Sequence, residues 1–345
     1  MTPSSMGYKK SASLAGLFVE RWCSVDSQRA LRGLLILIFS MQRIRQSTNQ
    51  PIHLEDNMCA LRLEFNDYGF EIYDGHHILT AYRAKENVSR DESPKPCFHP
   101  IHTPSGTLIT EYRPDDHLWH TGLYFGWVHV NEANLWGGPW YLPEKKKYEG
   151  VVNSHGVQRH DAFSNLDAKE DEIHITEELT WLDQNDQSMV EETRQYLFQK
   201  LQETSGYLWI IETDIRPVVD KVTMGASRAA RYSGLELRMG PPFSDASHLN
   251  SEGLEGHEAI MGQRARWVSA AGATGGMVVM MDHPDNPRHP VTWFTRKNLL
   301  GAGLLMEGDL TIKNPDALHL SYGFAILDEE LDLPRIEALY ATYLS

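Results

Sequence analysis

From Ala60 onward, apolar and polar residues alternate with a period of two, the pattern of strands that bury one face. LRLEFNDYGFEIYDGHHILTAYR (61–83) reads as a hairpin or meander, with Asn66-Asp67 and Asp74-Gly75 as turns. A polar loop over 86–95 ends in Pro94 and Pro96. Short strands are then expected at 98–102 and 108–112, and a longer one in LYFGWVHVN. EIHITEELTWLD, EETRQYLFQKL and YLWIIETDIRPVV follow as antiparallel neighbours, then YSGLELRM and RARWVSAAG. GGMVVMMD is continuously apolar, as in a strand covered on both faces, and VTWFTR and LHLSYGFAILD complete the pattern. The period changes only at the end. In PRIEALYATYL, Ile336, Leu339, Tyr340 and Tyr343 fall on one helical face behind Pro334. Roughly twelve to sixteen short strands with one C-terminal helix predict an all-β fold, a large antiparallel β-sandwich. No fixed-period repeat points to a propeller.

The first fifty residues follow different rules. They hold seven Lys/Arg, only Glu20 and Asp26 as acids, and eight serines. Their apolar run, Gly33–Met41, is far short of the ~20 residues that span a bilayer. Residues 1–57 are therefore read as an extension (a start placed too early, an organelle leader or a membrane-surface helix), and 58–345 as one domain. Cys23, Cys59 and Cys97 are odd in number and lack CxxC spacing, which favours a reducing compartment over a disulfide framework. A net charge of −15 without a basic stripe argues against a nucleic-acid partner. Neither an integral membrane association nor a secretory signal is legible, so a cytoplasmic location is expected, unless the leader directs the chain to an organelle.

Candidate chemistry concentrates in residues 96–141, which hold five of sixteen histidines and four of nine tryptophans. His117 and His120 are three apart, behind Asp115-Asp116 and around Trp119, and one turn of chain would point both rings the same way. Such a pair can divide acid and base roles or ligate a divalent metal. Two imidazolium charges ~4 Å apart repel by about 4 kcal/mol at an effective dielectric of ~20, so at most one should be charged at neutral pH unless an aspartate compensates. Trp119 and Trp136 have the character of sugar-stacking walls. His99 and His102 repeat the spacing, but Pro100 holds that segment extended; His129 reads as a core residue. His155 lies in a polar, Gly-flanked loop. Glu236 and Arg238 share one face of a strand, as do Arg264 and Arg266, and could bind or deprotonate a substrate. Asp282, His283 and Arg288 sit on a loop stiffened by three prolines. The His117–His120 loop, His155, Glu236 and the Asp282–Arg288 loop are expected to converge on one pocket, with Trp119 or Trp136 as a wall. GxSxG, HExxH, GxxxxGK[ST] and strand-linked GxGxxG motifs are absent.

FHPIHTPSGTLITEYRPDDHLWHTGLYFGWVHVNEANLWGG resembles the signature of the PmoA-like proteins, a largely uncharacterised family also labelled methane oxygenase PmoA. The resemblance continues through NSHG, YSGLELR, GQRARWVSAAG, MMDHPDNPRHPVTWFTR and LHLSYGFAILD, and so covers nearly all of 58–345. It implies a large sandwich similar to galactose mutarotase-like folds and an association with carbohydrate metabolism. Mutarotase-like enzymes pair a histidine acid with a carboxylate base at a pyranose. The expected protein is an enzyme for proton transfer on a sugar or sugar-derived substrate, of epimerase, mutarotase or lyase type, with a small-molecule carbohydrate as its partner. His117, His120 and Glu236 would be its catalytic groups, and Trp119, Trp136, His155, Arg238, Arg264, Asp282, His283 and Arg288 its binding groups. No cofactor is required by this chemistry. Two alternatives stay open: a non-catalytic carbohydrate-binding module, and a metal-dependent oxygenase, as the family label suggests.

Overall fold

The computed structural model describes residues 61–150 and 153–345. The expectations for residues 1–57 lie outside them. The described chain is all-β: an eleven-stranded sheet and an eight-stranded sheet, both antiparallel, form a sandwich, and a two-stranded ribbon stands apart. The spine of the first sheet runs Leu61–Phe65, Gly69–Asp74, His77–Arg83, Cys97–Ile101, Leu123–Val130, Gly234–Arg238, Leu299–Ala302 and Trp293–Arg296. The second runs Ser247–Asn250, Trp267–Ala271, Met277–Asp282, Leu318–Leu327, Gly206–Pro217, Ser188–Lys200, Glu172–Leu182 and Val157–Ala168.

Period-two alternation explains the core directly. Ile173 and Ile175, Tyr196 and Phe198, and Trp209 and Ile211 point from the second sheet toward Phe70, Phe98, Phe125 and Trp127 of the first. The continuous run at 277–282 is buried on both faces for a visible reason. Val278 and Met280 enter the inter-sheet core, while Met277, Val279 and Met281 meet the C-terminal helix on the outer side. That helix, Leu333–Tyr343, starts where the Asp332 carboxylate accepts from the Arg335 N–H at 3.1 Å, with Pro334 in its first turn. Ile336, Leu339, Tyr340 and Tyr343 are its buried face, as the spacing predicts.

The differences from expectation are local. Twenty-one strands form among the described residues, more than the pattern indicates, because several pieces of three to five residues are too short to show a period. Residues 108–112 make only isolated bridges, to His102, Met239 and Thr121 in turn, so no continuous ladder develops. Val157–Ala168 is a twelve-residue strand whose polar sequence conceals it. It is the sheet's edge, and polar side chains there discourage pairing with other chains. Beyond the C-terminal helix, one short helix forms at His257–Ile260. Among the described residues, no helix is long and apolar enough to cross a membrane.

Candidate functional site

A cavity of about 680 Å³ opens on the outer side of the first sheet, opposite the sandwich core. Four pieces of chain build it. The turn at 116–120 forms one wall and the loop at 136–139 another; the strand Gly234–Arg238 contributes Glu236 and Arg238. Residues 294–299 complete it, with Tyr232 and Tyr148 at the sides.

The histidine turn is made by two consecutive bends. Pro114 carbonyl accepts from the His117 N–H, and His117 carbonyl from the His120 N–H, both at 2.9 Å. The rings of His117 and His120 consequently lie 4.8 Å apart, 32° from parallel. Arg113 closes the base of the turn: its N–H donates to His120 carbonyl at 2.7 Å, and its guanidinium holds the Glu92 carboxylate in a two-point pair at 2.8 and 2.9 Å. His117 Nδ1 lies 2.9 Å from the exposed Asp116 carboxylate. His120 is buried, and its Nδ1 has no protein partner. Burial, reinforced by the charges of His117, Arg238 and Lys95, holds its pKa well below the usual imidazole value and keeps it neutral.

Trp119 and Trp136 stand in the wall. The Trp-Gly-Gly sequence is a steric requirement of their packing. Gly137 and Gly138 have φ of +105° and +68°, and a Cβ on Gly138 would lie 2.5 Å from the Trp119 indole. Gly126 does the same for Trp136, where a Cβ would come within 2.6 Å of the ring. Trp136 in turn presents its plane edge-to-face to His120 at 5.8 Å and contacts Tyr232 at 4.6 Å.

Beneath both walls lies Lys95, almost wholly buried. Its ammonium donates to the carbonyls of Trp136 at 2.8 Å and Trp119 at 3.1 Å, and rests 4.9 Å from the centre of the Tyr124 ring. One cation thus ties the histidine turn to the Trp-Gly-Gly loop. Burial lowers its pKa to about 8.

Glu236 occupies the floor, paired in register with Tyr124 on one neighbour strand and Gly301 on the other. A Cβ on Gly301 would crowd the Glu236 side chain at 3.2 Å, so glycine leaves the carboxyl its space. The side chain is 1% exposed, and Oε2 has no protein partner. Burial drives its pKa well above the ordinary carboxylate range, against the smaller pull of Lys95, Tyr124 and Arg296. Arg238, two residues on, gives Nε to Glu111 at 2.9 Å.

The other expected members of the site are elsewhere, and each absence has a physical reason. His155 lies one layer behind. Its Nε2 faces the Gly138 carbonyl at 2.8 Å, and because a carbonyl only accepts, that nitrogen carries the proton. It supports the loop and does not line the cavity. Asp282 is fully buried and spent on its own loop: Oδ2 accepts from His289 at 2.7 Å and the Val291 N–H at 2.8 Å, and Oδ1 from Asn286 at 2.8 Å. Arg288 donates to the carbonyls of Leu304, Gly308 and Asp309. Arg264 pairs with Glu307 and donates to the carbonyls of Arg288 and Pro290. His283 Nδ1 accepts from the Asp285 N–H at 3.1 Å. The expected convergence with the proline-rich loop is thus corrected: its polar groups hold the loop together. Sequence reasoning also passed over Lys95, Tyr148, Tyr232, His257, Phe294, Arg296 and Lys297. Tyr232 and Arg296 lie inside family-like segments, YSGLELR and VTWFTR, which is the signal that could have marked them. Among the described residues, no three His, Cys, Asp or Glu side chains gather as a metal ion would need, so His117 and His120 stand without a third such ligand.

No curated protein matches the chain. A family model does, over residues 70–341, from the second strand to the C-terminal helix and so across every wall of the cavity. The chain belongs to the family of unknown function DUF6807.

Proposed function

We propose that the protein is a carbohydrate-active enzyme that transfers protons on a sugar or sugar-derived ring, as an epimerase, mutarotase or lyase. One observation carries this reading: a buried, neutral imidazole and a buried carboxyl that favours its proton line the same aromatic-walled cavity, each with a polar atom that no protein group satisfies. Two groups with pKa values pushed in opposite directions are poised for opposite proton traffic at neutral pH. His120 is the base, because burial keeps it unprotonated. Glu236 is the acid, because burial keeps its proton. This inverts the histidine-acid, carboxylate-base pair implied by the resemblance to mutarotase-like enzymes, and the inversion follows from where each group is buried. His117, half-exposed and 4.8 Å from His120, stands between that ring and solvent. Trp119, Trp136 and Tyr232 offer faces for the apolar side of a pyranose. The volume suits a ring-sized ligand. The resemblance to PmoA-like proteins supports an association with carbohydrate metabolism.

The test does not require the product to be known. A panel of sugars and sugar acids is incubated with the protein in heavy water. Proton magnetic resonance follows both the loss of carbon-bound hydrogen, which an epimerase or lyase causes, and the rate of anomer interconversion, which a mutarotase raises without it. The proposal expects exchange at one position of one sugar class, or faster anomer interconversion of it, abolished by His120→Ala and by Glu236→Gln. Binding of a sugar with no exchange and no turnover would show a carbohydrate-binding module instead.

A further inference from the structure

The cavity lining gathers cations within an acidic protein. The whole sequence carries 47 acidic residues against 32 Lys and Arg. Yet the cavity lining holds three permanent cations, Arg238, Arg296 and Lys297, against two carboxyls. Of those two, Asp116 is exposed at the rim beside His117, and Glu236 favours its proton. Outside the lining, Glu111 pairs with Arg238 and Asp245 with Lys297, which leaves Arg296 as the lining cation with no carboxylate partner among the described residues.

Arg238 is the cation best placed to receive an anion. Its side chain is only 14% exposed, and Glu111 takes Nε alone. Among the described residues, no protein group bonds its two terminal nitrogens, which leaves a forked pair of donors beside Glu236. Arg296 stands at the mouth, with only the Thr295 carbonyl and the Phe294 ring as partners. A planar fork matches a carboxylate, which accepts two parallel N–H bonds.

Resting on the reading above, we propose that the substrate is a sugar acid whose carboxylate is received by Arg238, with Arg296 guiding it in. The chemistry of the site favours a carboxylate over a phosphate. A C–H bond beside a carboxylate comes within reach of a neutral imidazole only when the carboxylate's charge is neutralised, which the Arg238 guanidinium can do, whereas a phosphate ester offers no such electron sink. His120 takes the C–H proton, and the electron pair moves onto the carboxylate as an enediolate against the Arg238 guanidinium. The pair then returns in one of two ways. In the first, Glu236 adds its proton to the opposite face, giving the epimer and leaving Glu236 ionised and His120 protonated until both exchange with solvent. In the second, the pair forms a carbon–carbon double bond and expels the group one carbon further on, which leaves as an alcohol with the Glu236 proton. Neither route needs an outside oxidant or reductant.

Calorimetric binding to the full chain tests this with four ligand sets: hexuronates and hexonates, the matching neutral hexoses, hexose 6-phosphates, and a non-sugar aromatic carboxylate. The expected result is that at least one sugar acid binds ten times or more tightly than its neutral counterpart, and less tightly as salt is raised. Arg238→Gln should abolish that preference while residual neutral-sugar binding reports an intact fold. Arg296→Gln should weaken it severalfold, and Arg296→Lys should restore most of it. Equal binding of acid and neutral sugar, or preference for the phosphates, would overturn the carboxylate while leaving the carbohydrate reading standing. Binding of the aromatic carboxylate alone would overturn the carbohydrate reading instead. No binding by any set would overturn both.

Discussion

The histidine turn and the proline-rich loop look alike as sequence and behave as opposites in the structure. DDHLWH and DHPDNPRHP both combine acids with paired histidines beside strands. In the loop, each of these groups with a buried polar atom is paired inward: Asp282 organises it with three hydrogen bonds, and Arg288 with three more. In the cavity, Glu236 Oε2 and His120 Nδ1 are buried without a protein partner. Leaving a buried polar atom unsatisfied costs about 1–3 kcal/mol, a cost that persists where something other than folding makes use of it. The loop's polar groups therefore serve the fold, and the cavity's serve a ligand.

That contrast can be broken most directly at Glu236 and His120. Glu236→Gln or His120→Ala should lower exchange or turnover by 10²–10⁴, the range of a lost acid or base. Unfolding free energy should move by no more than about 1 kcal/mol, or rise, because an unsatisfied group is removed. A large loss of stability in urea titration would place these groups with the loop instead. Asp282→Ala should do the reverse: three donors lose their acceptor, and about 3 kcal/mol of stability goes with them. Exchange per folded molecule should stay within twofold.

His155 tests the layer between the two. His155→Ala should cost about 1–2 kcal/mol and weaken substrate affinity, since the Gly138 carbonyl keeps only the longer bond from Asn134 at 3.3 Å and the loop beneath Trp119 loosens. Unchanged affinity would mean that the loop holds its shape without that bond.

The smallest effect concerns acid. His99, His129 and His248 are pushed from 6.5 down to about 4, by burial first in each case. Their protonation favours the unfolded chain, so their contribution is complete above about 6.5 and is lost as pH falls toward 4. Each should be worth about 1 kcal/mol after solvent screening. Glu236 and Asp282, raised by burial, carry the opposite sign: their contribution is present at low pH and is lost as pH rises through their raised values. Because the two sets oppose each other, a variant isolates the histidine contribution: His129→Phe should lose less melting temperature, or gain more, than the native chain between pH 7.5 and pH 5. An unchanged slope would assign the acid limb to other groups.

Much of the fold was legible because burial on one face leaves a period-two trace. The run at 277–282 even announced its second cover, since neither face could be polar. The strand at 157–168 was not legible, because an edge strand of Gln158, Arg159, His160 and Asp161 has no apolar stripe to show. At the site, His117, His120, Trp119, Trp136, Glu236 and Arg238 were all picked out by residue type and spacing. Arg264, Asp282, His283 and Arg288 were picked out on the same grounds and lie elsewhere, because residue type does not reveal whether a neighbour has already claimed a donor or acceptor.

The sequence alone determined the all-β class, the terminal helix and the stretch where imidazoles and indoles gather. These depend on short-range periodicity and composition, which the chain carries without reference to its partners. Only the tertiary structure decided that Glu236, 116 residues after His120, lies in the same cavity, that Lys95 joins the two walls from below, and that Glu236 favours its proton while His120 does not. Protonation depends on desolvation and on charges brought close from distant parts of the chain, and neither exists until the sheets have packed.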